Sequence, residues 1–222
     1  MTAEAVGNPS DENADELTRI RLARAGDAAA WAELFEPHRA RLRRIIDLRL
    51  DRRVRGRIDP SDVVQEVAIE AVRLLPKYLE TPEMPLFLWL RWLTGKTMQA
   101  LHRRHLGVQA REVGREVRLD NWPMPEASSV AIAAQLVDKA YTPSRAAARS
   151  EQKLRLQQAI DSLDPIDREV LVLRHFEELT AEESARVLGI DRSAASKRYM
   201  RALKRLKAHI EAMPGGAGSF RL

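Results

Sequence analysis

The 222-residue chain has no cysteine. Disulfides and thiolate metal sites are therefore excluded, and a reducing compartment is permitted. Aromatic residues are scarce, at 5%. The apolar residues are mostly Ala, Leu, Val and Ile, a mixture that suits helices. No apolar run reaches the ~18 residues needed to cross a bilayer. Residues 1–18 hold Glu4, Asp11, Glu12, Asp15 and Glu16 without a Lys or Arg. An acidic start without an apolar stretch is not a signal peptide, so a cytoplasmic protein is expected. A Ser/His/Asp set, a phosphate loop and a carboxylate pair in a catalytic setting are all missing. His102 and His105 share a helix face, but Arg103 and Arg104 beside them would repel a cation. The expected site list thus has no catalytic residue, no metal and no cofactor.

What is present is concentrated near the C-terminus. Thr180 and Glu183 have the spacing of a capping box. Ala185 is small enough for a second helix to cross closely. Gly189 stands where the chain must turn, and Asp191 can cap the helix that follows. These are the parts of a helix-turn-helix, whose second helix enters the DNA major groove. From Arg192 to Ile210 there are seven Lys or Arg residues and no acid. A like-charged helix repels itself unless a polyanion neutralises it. The competing reading is a solvated helix that only packs on its neighbour. A second basic run, residues 39–57, has nine Arg against two Asp. A solvated helix face with a loop is one reading of that run.

The pattern predicts an all-α protein of two helical domains joined by a long flexible linker, the C-terminal domain carrying the helix-turn-helix. Residues 1–14 read as a disordered tail. A helix is expected from Asp15 to Ala25, ending at Gly26, and a second after Asp27. The second carries Trp31, Leu34, Phe35, Leu42, Ile45 and Ile46 as core. Asp59-Pro60 opens a third helix, with Val63, Val64, Val67, Ala71, Val72 and Leu75 facing inward and Pro76 ending it. A fourth runs from Leu86 to His105, its core stripe formed by Leu86, Trp89, Leu90, Leu93 and Leu101. Periodicity fails over 107–143, apart from a short Ala/Val run at 130–137, so this span reads as the linker. Asp164-Pro165 restarts a helix within a second domain at 144–212. Residues 213–222 form a flexible tail.

Taken together, these parts resemble a bacterial sigma factor of the extracytoplasmic-function (ECF) group. Residues 59–66 read Asp-Pro-Ser-Asp-Val-Val-Gln-Glu, similar to the segment with which the family's first domain docks on the clamp helices of RNA polymerase. Trp89-Leu90 and Arg103-Arg104 align with its promoter-melting helix. Leu163, Arg168, Glu169, Val170, Leu173 and Arg174 lead into the helix-turn-helix in the family's order. Ser184, Ala195, Gly95 and Lys96 depart from residues usual in the family. The resemblance implies region 2 at 15–106, region 4 at 144–212, and partners comprising core polymerase (clamp helices and flap), promoter DNA and an inhibitory anti-sigma factor. A helix-turn-helix regulator that does not replace a sigma subunit is the alternative.

Three sets of site residues follow. Asp59, Asp62, Val63, Gln65 and Glu66 are expected to bind polymerase. Asp62 and Glu66 share a face, and ordinary solvated acids near a helix N-terminus would look the same. Trp92, Lys96, Gln99 and Arg103 lie on one face of the fourth helix and suit single-stranded DNA, by stacking and phosphate contact. Core packing is the competing role for Trp92. Arg192, Ser193, Ser196, Lys197, Met200 and Arg201 are expected at the minus-thirty-five element, with Arg201 able to grip a guanine. By the resemblance, the loop at 79–85 would hold a flipped minus-ten base.

Overall fold

The structure, a computed structural model, describes residues 18–106, 124–140 and 146–212. Both expected tails and residues 107–123, the first half of the expected linker, lie outside the described residues. The described elements are helical: α1 (18–24), α2 (Ala28–Arg49), α3 (Arg52–Arg55), α4 (Pro60–Glu80), α5 (Leu86–Leu106), α6 (Ser129–Ala140), α7 (Ala146–Asp161), α8 (Pro165–Leu171), α9 (Ala181–Leu188) and α10 (Arg192–Glu211). A π-helical turn, Val172–Phe176, extends α8.

Caps start these helices where short polar residues precede them. Asp27 accepts from the N–H groups of Ala29 and Ala30, Asp59 from Ser61, and Asp164 from Ile166. Each satisfies donors that the first turn leaves open. Pro60 and Pro165 sit at the first turn, where no N–H is needed.

Helices α1–α5 enclose one core. Trp31, Leu34, Phe35, Leu42, Ile45 and Ile46 from α2 meet Val63, Val64, Val67, Ala71 and Leu75 from α4. Leu86, Trp89, Leu90, Leu93 and Leu101 of α5 close it, as their spacing predicts. Each fully buried Leu or Ile contributes roughly 1.5–3 kcal/mol. A second core lies among α6, α7, α8 with its π-helical turn, and α10, built on Ile132, Leu136, Leu156, Ile160, Leu163, Phe176, Ala202 and Leu206.

Three expectations are corrected. Pro76 does not end α4, which continues to Glu80. Proline's φ suits a helix, and packing beyond it outweighs the lost hydrogen bond. Tyr78 stacks on Trp89 at 4.4 Å and donates from its hydroxyl to the Met84 carbonyl at 2.7 Å. Val72 is 52% exposed rather than core. The span read as linker contains α6, whose Ile132, Ala133, Leu136 and Val137 are buried in the second core. Its Ala/Val run was visible, but a 12-residue helix needs α7 to bury its face.

The two lobes abut. Leu173 and Leu179 of the C-terminal lobe join the first core, and Leu48 of α2 joins the second. The Ser128 N–H donates to the Leu48 carbonyl at 2.9 Å.

Candidate nucleic-acid and partner interface

The helix-turn-helix is built as its spacing implies. The Thr180 hydroxyl accepts from the Glu183 N–H at 3.1 Å, and the Glu183 carboxylate accepts from the Thr180 N–H at 2.7 Å. Gly189 is left-handed, at φ 63° and ψ 34°, which costs glycine little. The Ile190 N–H reaches back to the Ala185 carbonyl and the Gly189 N–H to that of Arg186, so the last turn of α9 is closed. Val170, Ala185 and Ala195 pack where α8, α9 and α10 cross. Ser184 is fully buried on α9, and its hydroxyl has no hydrogen-bond partner.

Helix α10 turns Ala195, Ala202 and Leu206 inward. Arg192, Ser193, Ser196, Lys197 and Met200 are exposed, Met200 by 63%. This face offers cations, hydroxyls and one apolar side chain at the positive end of the helix dipole. Arg201 is different. Its Nε donates to Asp167 Oδ2 at 2.7 Å and its Nη2 to Oδ1 at 3.1 Å. Arg198 Nη1 adds a third bond to Asp167 at 2.8 Å. Burial raises the Asp167 pKa, but the hydrogen bonds from Arg201 and Arg198 outweigh it and hold the carboxyl below its usual range. Arg201, expected to read a base, is thus engaged by an acid on α8. Sequence spacing could not show this, because the partner lies 34 residues away.

On α4, Asp59, Asp62 and Gln65 are exposed and Glu66 is partly so. Hydrogen bonding from Ser61 lowers the Asp59 pKa. Val63, expected in the same set, is only 1% exposed and belongs to the core. It packs behind the exposed face of α4. Ile69, unassigned from the sequence, and Val72, expected in the core, share that exposed face. Ile69 is 72% exposed, as is Val72 to a lesser degree. Positions 62, 65, 69 and 72 recur at helical spacing, so a helical projection would have found them. The outer face of α4 is therefore acidic at its start and apolar at its middle.

On α5, Trp92 is partly buried and packs against the first core. Lys96 Nζ lies 4.5 Å from its ring centroid. A cation over an indole face is attracted by the ring quadrupole. Gln99 is partly exposed and Arg103 exposed on the same stripe. Trp92 thus packs on the core and carries a cation over its ring face. The adjoining loop is shorter than expected, since Leu79 and Glu80 are still helical. His102 is half-buried, and its Nε2 accepts from the Asp51 N–H at 3.4 Å. Among the described residues, no three His, Cys, Asp or Glu side chains gather as metal ligands. Also among them, no helix is long and apolar enough to cross a membrane.

The chain is similar to known proteins. The family described as sigma-70, region 4, matches residues 153–206. Over 188 residues the chain is 27% identical to the ECF RNA polymerase sigma factor SigD of Mycobacterium bovis, covering 85% of this chain and 80% of that one. SigD of Mycobacterium tuberculosis aligns with the same identity and coverage. The solved structure of CnrH in complex with the cytosolic domain of CnrY is similar in fold. It superposes with a TM-score of 0.52 at 23% identity, covering 90% of this chain and 99% of that one.

Proposed function

From its homology to ECF sigma factors, we propose that this chain is a sigma subunit that binds core RNA polymerase and directs promoter-specific initiation of transcription. The observation that carries this reading is the outer face of α10. Arg192, Ser193, Ser196, Lys197 and Met200 stand exposed on a closed helix-turn-helix, within the segment that matches region 4. Hydroxyls and cations at a helix N-terminus can hold phosphates and reach base edges, and Met200 can meet a thymine methyl group.

The remaining roles belong to the same proposal. The C-terminal lobe binds the minus-thirty-five element as duplex. The N-terminal lobe docks on the polymerase clamp helices through Asp59, Asp62, Gln65 and Glu66, with Ile69 and Val72 as the apolar anchor. Exposed acids steer the encounter, while apolar contacts hold the complex. Trp92, Lys96, Gln99 and Arg103 then receive the opened minus-ten strand. A base stacked on Trp92 gains roughly 1–3 kcal/mol, which traps a transient opening without nucleotide hydrolysis. Phosphodiester bonds are made by the polymerase, and the chain supplies no catalytic group. Such a subunit works in the cytoplasm and is open to control by an anti-sigma factor.

Transcription in vitro from core polymerase plus this protein alone tests the reading. Specific initiation at a fixed start is expected. Duplex binding without initiation would instead identify a helix-turn-helix regulator that does not replace a sigma subunit.

A further inference from the structure

The basic residues of α10 fall on two edges of the helix. At about 100° per residue, Arg192, Lys197 and Lys204 share the exposed face of Ser193, Ser196 and Met200. Arg198, Arg201 and Arg205 centre about 140° further round. All three converge on one carboxylate of α8. Arg201 grips Asp167 through Nε and Nη2, at 2.7 and 3.1 Å. Arg198 Nη1 donates to Asp167 Oδ1 at 2.8 Å, and Arg205 Nη1 lies 4.0 Å from Oδ2. Arg198 also lies 3.6 Å from Asp164, the residue that caps α8. Lys207, the remaining cation, pairs with Glu211 at 3.7 Å. Asp167 is only 1% exposed, whereas the side chains of Arg198, Arg201 and Arg205 are 29%, 49% and 53% exposed.

That difference in burial decides which anion these arginines keep. One further phosphate neutralised by an exposed arginine tightens duplex binding about fivefold at 0.15 M salt, through counterion release. Taking the same arginines from Asp167 strands a desolvated carboxylate, which costs more than an exposed ion pair returns. Asp167 therefore keeps them when a duplex is near.

The two edges could not serve one bound state. With the Arg192–Met200 face in a groove, the Arg198–Arg205 edge points across the helix from the bases. Released, that edge could hold a DNA backbone only by rolling α10 away from the groove. Such binding carries no sequence information.

Resting on the proposed role of α10 as the duplex-binding helix, we propose that Asp167 is a specificity-determining residue. It is an internal counter-ion, placed where a phosphate would otherwise sit, that withholds Arg198 and Arg201 from the DNA backbone. It thereby suppresses sequence-independent docking of α10 by its second edge. Asp167 touches no DNA. It acts by leaving Arg192, Lys197 and Lys204, beside the groups that can reach bases, as the cations offered to a duplex.

The full-length protein and its D167N variant test this with two probes. One is a duplex that the wild-type chain selects from a randomised library, and the other is the unselected library. D167N should bind the library about fivefold more tightly at 0.15 M salt, with a salt slope steeper by about 1. Affinity for the selected duplex should change less than about twofold, so discrimination falls. Arg201 distinguishes withholding from a mere change of net charge. R201A alone should leave the library salt slope unchanged, because Asp167 already occupies that side chain. In D167N/R201A the slope should return toward the wild-type value. An unchanged library slope in D167N, an equal gain on both probes, or a shallower slope in R201A alone would overturn the proposal.

A second arm leaves Asp167 in place and so holds even if D167N fails to fold. The Nε–H resonance of Arg201, assigned by its loss in R201A, should keep its position when the selected duplex is added, while that of Arg192 moves. Movement of both would overturn the proposal. A wild-type chain that prefers the selected duplex but does not initiate with core polymerase counts against the sigma reading alone. One that initiates yet shows no preference between the two probes counts against the role of Asp167 alone.

Discussion

Two arginine-rich helices in this chain look alike as sequence and behave oppositely in the structure. On α2, Arg41, Arg44 and Arg49 turn toward the other lobe and bind its carbonyls and carboxylates. On α10, Arg192, Lys197 and Lys204 remain in solvent, while Arg198 and Arg201 bend back to Asp167. The difference lies in where the acids fall. Glu169, Glu177 and Glu178 stand opposite α2, whereas α10 meets one buried aspartate along one edge. A charge run thus shows that counter-charge is needed, but not whether the protein or a ligand supplies it.

The sharpest way to break this contrast is at Arg49. R49A leaves Glu177 short of a buried cation, and such losses cost about 3–5 kcal/mol. Urea unfolding should register this directly. By contrast, K197A on the exposed face should leave stability within ~0.5 kcal/mol. Its effect should appear in DNA binding, where the salt slope of upstream-duplex affinity falls by about 1.

Acid should separate the same two surfaces. The Glu177 pKa would be raised by burial, but Arg49 and Arg91 outweigh that and hold it below the ordinary 4.5, at about 2. Asp167 is likewise depressed from 3.8. A depressed carboxyl stabilises the fold fully above its unfolded pKa and loses that contribution as pH falls through the folded one. Urea midpoints should therefore hold from pH 7 to about 5 and fall steeply toward pH 2. In E177Q, much of that acid-dependent loss should disappear.

Arg201 lies between the two classes. R201A should destabilise by ~1 kcal/mol or less, since its side chain is half exposed and Arg198 still holds Asp167. Its upstream-element preference should change little, while M200A shifts it. A profile altered by R201A and not by M200A would return base reading to Arg201. The smallest effect is expected at Ser184, whose buried hydroxyl lacks a partner. S184A should be neutral or stabilise by up to about 1 kcal/mol in thermal unfolding.

Local chemistry was the readable part. Asp27, Asp59, Asp164 and the Thr180–Glu183 box cap helices where their spacing says, because a cap bonds only a few residues away. The core stripes of α2 and α5 followed from periodicity for the same reason. Pro76 misled because a local rule was overruled by Tyr78 packing on Trp89. Val63 was read both as core and as part of the docking segment; its azimuth, about 100° from that of Asp62, decides for the core. Val72 was assigned to the core because apolar residues on a helix are placed there by default, and Ile69 was left unassigned.

By itself, the order of residues determined the helical class, the caps, the turn at Gly189 and the outward cations of α10, all set within a few residues of chain. Only the tertiary structure decided that Arg201 answers to Asp167 and that Arg49 and Arg91 answer to Glu177. Those pairings span tens of residues to more than a hundred. No local periodicity encodes them, and burial makes them matter, since a charge removed from water must find its counter-charge wherever the fold brings one.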